Sequence, residues 1–285
     1  MTANFSIVIP ARNEAAALGV LLPELRRLHP QCDLIVVNDG SGDDTAGVAE
    51  RCGARVINQP YGMGNGAAVK AGARAATADT IVFMDGDGQH AAADVQRLLS
   101  ALEGGYLMAV GARGSESQAS VFRLLGNRFY NTLASWITGQ RIADLTSGFR
   151  AVRAGEFREF LHLLPNGFSY PTTITMAFLR AGYPVYYIPI TAAARIGRSH
   201  IRPLHDGLRF ALIIFRIGTL YSPLKIFFPI SACMFLLGMG NYLYTYMVSA
   251  RFTIMSAMLL LAALFVFLIG LVAEQITALI YQRRL

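Results

Sequence analysis

Ile81-Val82-Phe83-Met84-Asp85-Gly86-Asp87-Gly88-Gln89-His90 is the stretch from which the rest of the chain is read. Its first four residues are apolar, with β-branched and aromatic side chains among them, and predict a strand buried in a parallel sheet. The strand stops in two aspartates separated by glycine. Glycine lets the backbone turn sharply and approach a ligand closely, and two carboxylates one residue apart can converge on a divalent cation. Mg2+ or Mn2+ takes oxygen ligands and completes its shell with water and substrate phosphates. Ligands of open α/β sheets bind beyond the carboxyl ends of strands, where this pair falls. Taken alone, an Asp-x-Asp triplet reads equally well as a solvated turn.

Upstream, Phe5–Ile9 is a β-rich run cut off by Pro10, and Ala11-Arg12-Asn13-Glu14 leads into a helix ending near Leu28. Asp33–Val37 predicts a second strand, ending in Asn38-Asp39-Gly40-Ser41-Gly42, with a helix to Arg51 and a third strand over Ala54–Ile57. Tyr61-Gly62-Met63-Gly64-Asn65-Gly66 then opens an alanine-rich helix to Ala76. That glycine run lacks the Gly-Lys-Ser/Thr ending of a Walker loop, and no Gly-x-Gly-x-x-Gly follows the first strand. Downstream, Tyr106–Val110 predicts a strand ending at Gly111-Ala112-Arg113, with a helix beyond it carrying Arg123, Asn127 and Arg128. Strand and helix alternating with polar turns at strand ends predict an α/β, doubly wound, mostly parallel sheet.

Three polar turns thus fall on one sheet edge: Pro10-Ala11-Arg12-Asn13-Glu14, Asp39-Gly40-Ser41 and Asp85-Gly86-Asp87. Together they resemble the nucleotide-sugar half of family 2 glycosyltransferases, whose fold is called GT-A. The longer form Asp-x-Asp-Gly-Gln-His resembles the branch that moves sugar onto polyprenyl phosphates, dolichol-phosphate mannose synthase among them. Asp144-Leu145-Thr146-Ser147-Gly148-Phe149-Arg150 is similar to that family's Asp-x-x-Ser-Gly-Phe-Arg segment. Arg195-Ile196-Gly197-Arg198-Ser199-His200 is similar to its Arg-x-Gly-x-Ser-Lys loop, with His200, mostly neutral at pH 7, where lysine is commoner. Asn65 also stands where many relatives carry a basic residue.

The resemblance implies a nucleotide-sugar site of Pro10, Arg12, Asn13, Glu14, Asp39, Gly40, Ser41, Asp85, Gly86, Asp87, Arg195 and His200. It implies metal contacts at Asp87 and Gln89, with Asp85 close by, and a place for Asp144 beside the sugar or metal. Arg113, Arg123 and Arg128 are the candidates for the acceptor phosphate, because guanidinium forks match phosphate oxygens in a bidentate way. Arg26, Arg27, Arg51, Arg74 and Arg97 fall on helices away from strand ends and read as surface charge. The implied partners are a UDP- or GDP-linked sugar, an undecaprenyl or dolichyl phosphate, and Mg2+ or Mn2+.

Hydrophobic residues make up 54% of the 285, and the excess is concentrated at one end. Ile226–Ala250 and Phe252–Ala273 contain no charged side chain, and each exceeds the roughly 20 residues that cross a bilayer core. Residues 1–189 hold 16 basic and 16 acidic side chains, so the whole net charge of +7 lies beyond them. That placement fits anionic lipid or a phosphate ligand and argues against nucleic acid. Lys225 with its upstream arginines, and Arg283 with Arg284, outnumber Arg251 between the two runs, so both termini are expected on the cytoplasmic side of the cell membrane. Leu204–Tyr221 predicts an amphipathic helix for the lipid interface. The expected domains are therefore 1–200 for catalysis, 201–224 for the juxtamembrane helix and 225–282 for a transmembrane hairpin, which also offers a surface for homo-oligomer contact. Cys32, Cys52 and Cys233 have no metal-ligand spacing.

The expected reaction is metal-dependent, inverting transfer of a hexose from a nucleoside diphosphate sugar to a polyprenyl phosphate. A processive polysaccharide synthase is the first alternative, but the Gln-x-x-Arg-Trp signature is missing, since Trp136 follows Ala134-Ser135. A non-catalytic membrane subunit that only binds the nucleotide sugar is the second.

Overall fold

The computed structural model describes residues 5–113, 121–167, 169–191, 212, 215, 218, 219 and 221–282, the side chains of 121–127 and 280–282 excepted. The chain runs β1 (Phe5–Ala11), α1 (Ala15–Leu28), β2 (Asp33–Asn38), α2 (Thr45–Arg51), β3 (Arg55–Asn58), α3 (Asn65–Ala75) and β4 (Thr80–Phe83). It continues through α4 (Asp94–Glu103), β5 (Met108–Arg113), α5 (Val121–Thr138), β6 (Arg150–Arg153), α6 (Ala154–Glu159), α7 (Tyr170–Arg180) and β7 (Val185–Ile190). Two long helices follow, α8 (Pro223–Ser249) and α9 (Ile254–Gln282). Two compact units result, one of Met1–Ser135 with Gln140–Gly207, the other of Trp136–Gly139 with Leu208–Leu285.

The first unit is built on one sheet of order β3-β2-β1-β4-β6-β5-β7. β1 pairs in parallel with β2 and β4, β2 with β3 and β5 with β7, while β6 runs antiparallel to both β4 and β5. Side chains alternate between the faces of a strand, and both faces here are covered. Ile7, Ile9, Leu34, Val36, Val82 and Met84 pack with Leu18, Leu22 and Leu25 of α1 and Val95 and Leu98 of α4. On the other side α3 lies so close that a Cβ on Gly72 would stand 2.2 Å from Val8 Cγ1. A parallel sheet buried on both sides reads as unbroken apolar sequence, as β1, β2 and β4 do.

Two strand expectations need correction. β1 is not cut off at Pro10 but runs on to Ala11, with Pro10 in register with Val37. Val8 O accepts Met84 N on the β4 side (3.1 Å), so Pro10, two residues on, faces that side too. β4 ends at Phe83, so the N–H that proline lacks has no ladder partner to lose. β5 starts at Met108 rather than Tyr106 and keeps Gly111–Arg113 inside the strand, where they pair with Ile188–Ile190.

Two arginines expected as surface charge are tied down. Arg26 donates to Cys32 O (3.1 Å) and Gly53 O, and Arg97 Nη2 donates to Pro189 O at 2.9 Å.

In the second unit α8 and α9 are each long and apolar enough to cross a membrane. Little of either is buried, and large apolar side chains such as Leu236, Met247, Ile254 and Phe265 face outward. Small residues bring the pair together: a Cβ on Gly238 would stand 3.0 Å from Leu259, and one on Gly270 would stand 2.7 Å from Phe227. Polar groups add to the contact. Ser231 Oγ donates to Ala263 O (2.8 Å), Ser256 Oγ to Asn241 Oδ1 (2.8 Å), and Leu224 N to Glu274 Oε2 (3.2 Å). Ala250–Thr253 connects the two helices. The helix expected over 204–221 lies mostly outside the described residues.

Gly72→Ala tests the α3–β1 packing. On an open helix the change stabilises by about 1 kcal/mol. Here it is expected to destabilise by about 1–3 kcal/mol through overpacking against the stiff Val8 side chain, read as a lowered Tm of the purified protein. An unchanged or raised Tm would mean the helix has room to shift.

Candidate active site

The carboxyl ends of β1, β2 and β4 open into a cavity of about 390 Å³, lined by Pro10, Arg12, Glu14, Asp39, Gly64, Asn65, Asp85, Gly86 and Asp87 among others. Parallel pairing of adjacent strands puts these turns on one edge. The lining carries four carboxylates and one guanidinium.

The three turns hold one another in place. Asn13, whose φ is 56°, accepts Gly42 N on Oδ1 (2.8 Å), and its own N–H donates to Ser41 Oγ (3.0 Å). Glu14 N donates to Thr45 Oγ1 (3.0 Å) and Ala15 N to Asp43 Oδ2 (3.2 Å). The free N–H groups at the start of α1 are thereby capped from the β2–α2 loop rather than by a side chain of their own segment. Asp39 is buried, and it accepts Met63 N (2.6 Å) and Gly64 N (3.0 Å), which fixes the glycine-rich turn over the cavity. Gly40, at φ +62°, packs so tightly that a Cβ would stand 2.5 Å from Gly62 N. Asn13, Gly40 and Ser41 thus stand behind the cavity as its frame, while Arg12, Glu14 and Asp39 line it.

Asp85 and Asp87 flank Gly86 at the cavity floor. Asp87 Oδ1 accepts Gln89 N at 3.2 Å, so Gln89 follows directly behind that carboxylate. His90, buried and stacked on Phe149 with centroids 4.9 Å apart, brings Nε2 to 3.7 Å from Asp85 Oδ2. Burial alone pushes the Asp85 carboxyl up; His90 beside it, with the guanidiniums of Arg113 and Arg150, outweighs this and holds it below the usual carboxylate range. Gly148 closes the other side, where a Cβ would lie 2.5 Å from Asp85 Oδ2. A smaller cavity of about 70 Å³ adjoins, sharing Asn65 and Asp85 and bounded by Thr146, Gly148 and Tyr170.

Asp144 faces inward. Arg113 Nε donates to its Oδ2 (2.9 Å) and Nη2 to its Oδ1 (3.2 Å), and the N–H groups of Thr146 (3.0 Å) and Ser147 (3.1 Å) donate to Oδ1 as well. Burial raises its pKa, but the hydrogen bond and charge of Arg113 prevail and hold it low. With these donors around it, Asp144 orients Arg113. Arg128 is exposed on α5. Arg123 belongs to the same helix, its side chain lying outside the described set; Arg195 and His200 lie outside the described residues.

Sequence reasoning passed over His90, Gly148 and Arg150. The first ended the founding motif and the other two lay inside a matched segment, but nothing in either pattern says what each touches. Arg150 is fully buried, and it donates to Pro171 O (3.2 Å), Thr175 Oγ1 (3.1 Å) and Ser147 O, with its guanidinium 5.6 Å from the centre of the Tyr170 ring. It holds in place the turn that carries Gly148.

The residues present suit a hard divalent cation. Asp85 and Asp87 supply two carboxylates, and among the described residues no group of three or more His, Cys, Asp or Glu side chains forms a ligand set of its own. That is the donor count of a Mg2+-type site completed by water and substrate phosphates.

Comparison with known proteins agrees with this geometry. Residues 6–161 match Glycosyl transferase family 2, and residues 222–279 match the family described as GtrB C-terminal hairpin. The chain is similar to Glycosyltransferase AglJ of Haloferax volcanii, 29% identical, with 84% of this chain and 80% of that protein covered. It is similar to the Dolichyl-phosphate hexose transferase of the same organism, 30% identical, with 75% of this chain and 93% of that one covered. Its fold is shared with glucosyl-3-phosphoglycerate synthase from Mycobacterium tuberculosis, solved with Mn2+ and UDP-glucose (TM-score 0.60, 23% identical, 75% of this chain and 77% of that one covered). The first of these matches runs from β1 past the end of α6, more than half of the 285 residues, and the chain is a glycosyltransferase belonging to family 2.

Proposed function

We propose that the protein transfers a hexose from a nucleoside diphosphate sugar to a membrane-held polyprenyl phosphate, with inversion at the anomeric carbon. The observation that carries this reading is the charge of the larger cavity, four carboxylates against the guanidinium of Arg12. A diphosphate would be repelled from such a place unless a divalent cation came with it. Support for the acceptor comes from the apolar hairpin and from the relative named as a dolichyl-phosphate hexose transferase.

In this reading Asp87 and Gln89, with Asp85 close by, would hold Mg2+ or Mn2+, which when bound offsets the charge on the departing diphosphate. Arg12, Glu14 and Asp39 with its turn receive the nucleoside end, UDP or GDP. Arg195 and His200 complete the donor site. Arg113, oriented by Asp144, and Arg123 and Arg128 of α5 grip the acceptor phosphate. A phosphate monoester with its second pKa near about 6 is largely dianionic at pH 7, so no base is needed to make it a nucleophile. Its oxygen forms the new bond to the anomeric carbon as the bond from that carbon to the diphosphate oxygen breaks, and the nucleoside diphosphate leaves with the electron pair. Attack from the side opposite the leaving group inverts the centre. Residues 1–200 form the catalytic domain, 201–224 a juxtamembrane helix and 225–282 the membrane hairpin, with the domain and both termini in the cytoplasm.

Membranes containing the protein, incubated with radiolabelled nucleotide sugars, are expected to move label into the organic phase. Label retained in polymer would favour a processive synthase, and no transfer with any donor would favour a binding subunit. Asp87→Asn, and wild type in EDTA, are expected to lose about 10²–10³-fold in rate with the fold intact, Mn2+ restoring only the wild type. Full activity in EDTA would remove the cation. Arg123→Ala removes a charge-assisted contact of about 1.5–3 kcal/mol and is expected to raise KM for the lipid about 10–100-fold more than for the donor. The reverse ranking would refute the acceptor assignment.

A further inference from the structure

The C-terminal half of α5 presents two large rings that glycosyl transfer itself does not use. Phe129 is 62% exposed there and Trp136 51%. Seven residues make nearly two helical turns, so the two side chains leave the helix about 20° apart. Arg128 and Thr132 share the exposed side, while Ala134 and Ile137 are buried on the other. Between Glu116 and Asp144 the chain carries Arg123, Arg128 and Arg141 and no acidic residue. The helix end thus combines two large rings with positive charge.

Contacts inside the second unit set the depth of Trp136. Trp136–Gly139 belong to that unit. Lys225 Nζ donates to Ile137 O at 3.0 Å. Around the same point a Cβ on Gly218 would stand 2.5 Å from the Ile226 side chain and 3.1 Å from that of Ile137. Lys225 is the last charged residue before the uncharged run Ile226–Ala250. A lysine in that position keeps its ammonium among the lipid headgroups. The carbonyl one residue past Trp136 is therefore held where the bilayer begins.

We propose that Trp136 and Phe129 insert into the headgroup–acyl boundary of an anionic bilayer, with Arg141 against its headgroups. The occupant of the face is lipid, because it continues the membrane contact of α8 and because its charge complements anionic headgroups. The proposal rests on the membrane reading of the hairpin.

Trp136 is the only tryptophan in the chain, so the wild-type protein reports on itself. The full chain is reconstituted into vesicles of phosphatidylcholine and phosphatidylglycerol, and into matched vesicles brominated near the headgroup or at the acyl end. Trp136 emission is expected to be blue-shifted from that of tryptophan in water and to lose most of its intensity with the shallow bromines, and less with the deep ones. A Trp136→Phe, Phe129→Trp exchange moves the reporter to the second ring and is expected to be quenched likewise. Protein that floats with the vesicles but keeps water-like, unquenched emission would overturn the proposal and leave the hairpin in the membrane. Blue-shifted emission that bromine does not touch would assign the face to a second copy or another protein, also against the proposal. Failure to float would remove the membrane reading itself, and the proposal with it.

Discussion

Glu14, Asp39, Asp85 and Asp87 meet in one cavity, where Arg12 is the one guanidinium among the described lining residues, and most of the first unit around that cavity is arranged to tolerate this. Asp39 spreads its charge over backbone N–H groups. Asp85 stands beside His90 and within the field of two buried or half-buried guanidiniums. Asp87 is buried and accepts Gln89 N. Each carboxylate would be unfavourable there without its partner, and together they make a site whose negative charge invites a cation and, through it, a phosphate.

The arginines on the other side of Asp85 are held with equal care. Arg113 is clamped by a carboxylate that also accepts from Arg113 N, Thr146 N and Oγ1, and Ser147 N. Arg150 is held without a carboxylate contact among the described residues, by carbonyls, a hydroxyl and an aromatic face. Burying such a charge is tolerable because Nη1 and Nη2 find oxygens, although Nε has no partner among the described residues, and the result is a braced Ser147–Gly148 turn against Asp85.

The parallel half of the fold was legible because its strands are uniformly apolar and end in glycine and aspartate, a local signal. β6 was not. Arg150-Ala151-Val152-Arg153 opens on a charged residue that turns out to be wholly buried, and its antiparallel insertion between β4 and β5 is a matter of topology that no window of sequence carries. α7 hides for a different reason, since Thr172, Thr173, Ile174 and Thr175 have the β-branched composition of a strand, yet the helix is enclosed on nearly every side. In the site, Asp85 and Asp87 could be found by their place at a strand end. The service of Asp144 to Arg113 joins residues 31 apart in the chain and became visible only when the two were seen together.

The turn frozen by Asp39 bears on selectivity. A loop that must become ordered around its ligand gives up roughly 0.5–1.5 kcal/mol for each side chain it immobilises, and in adapting it can accommodate more than one shape. Here Gly40, Gly62 and the buried carboxylate settle the backbone in advance. With the nucleoside received at this end, as proposed, a wall settled beforehand acts as a mould rather than a glove and selects a base by fit.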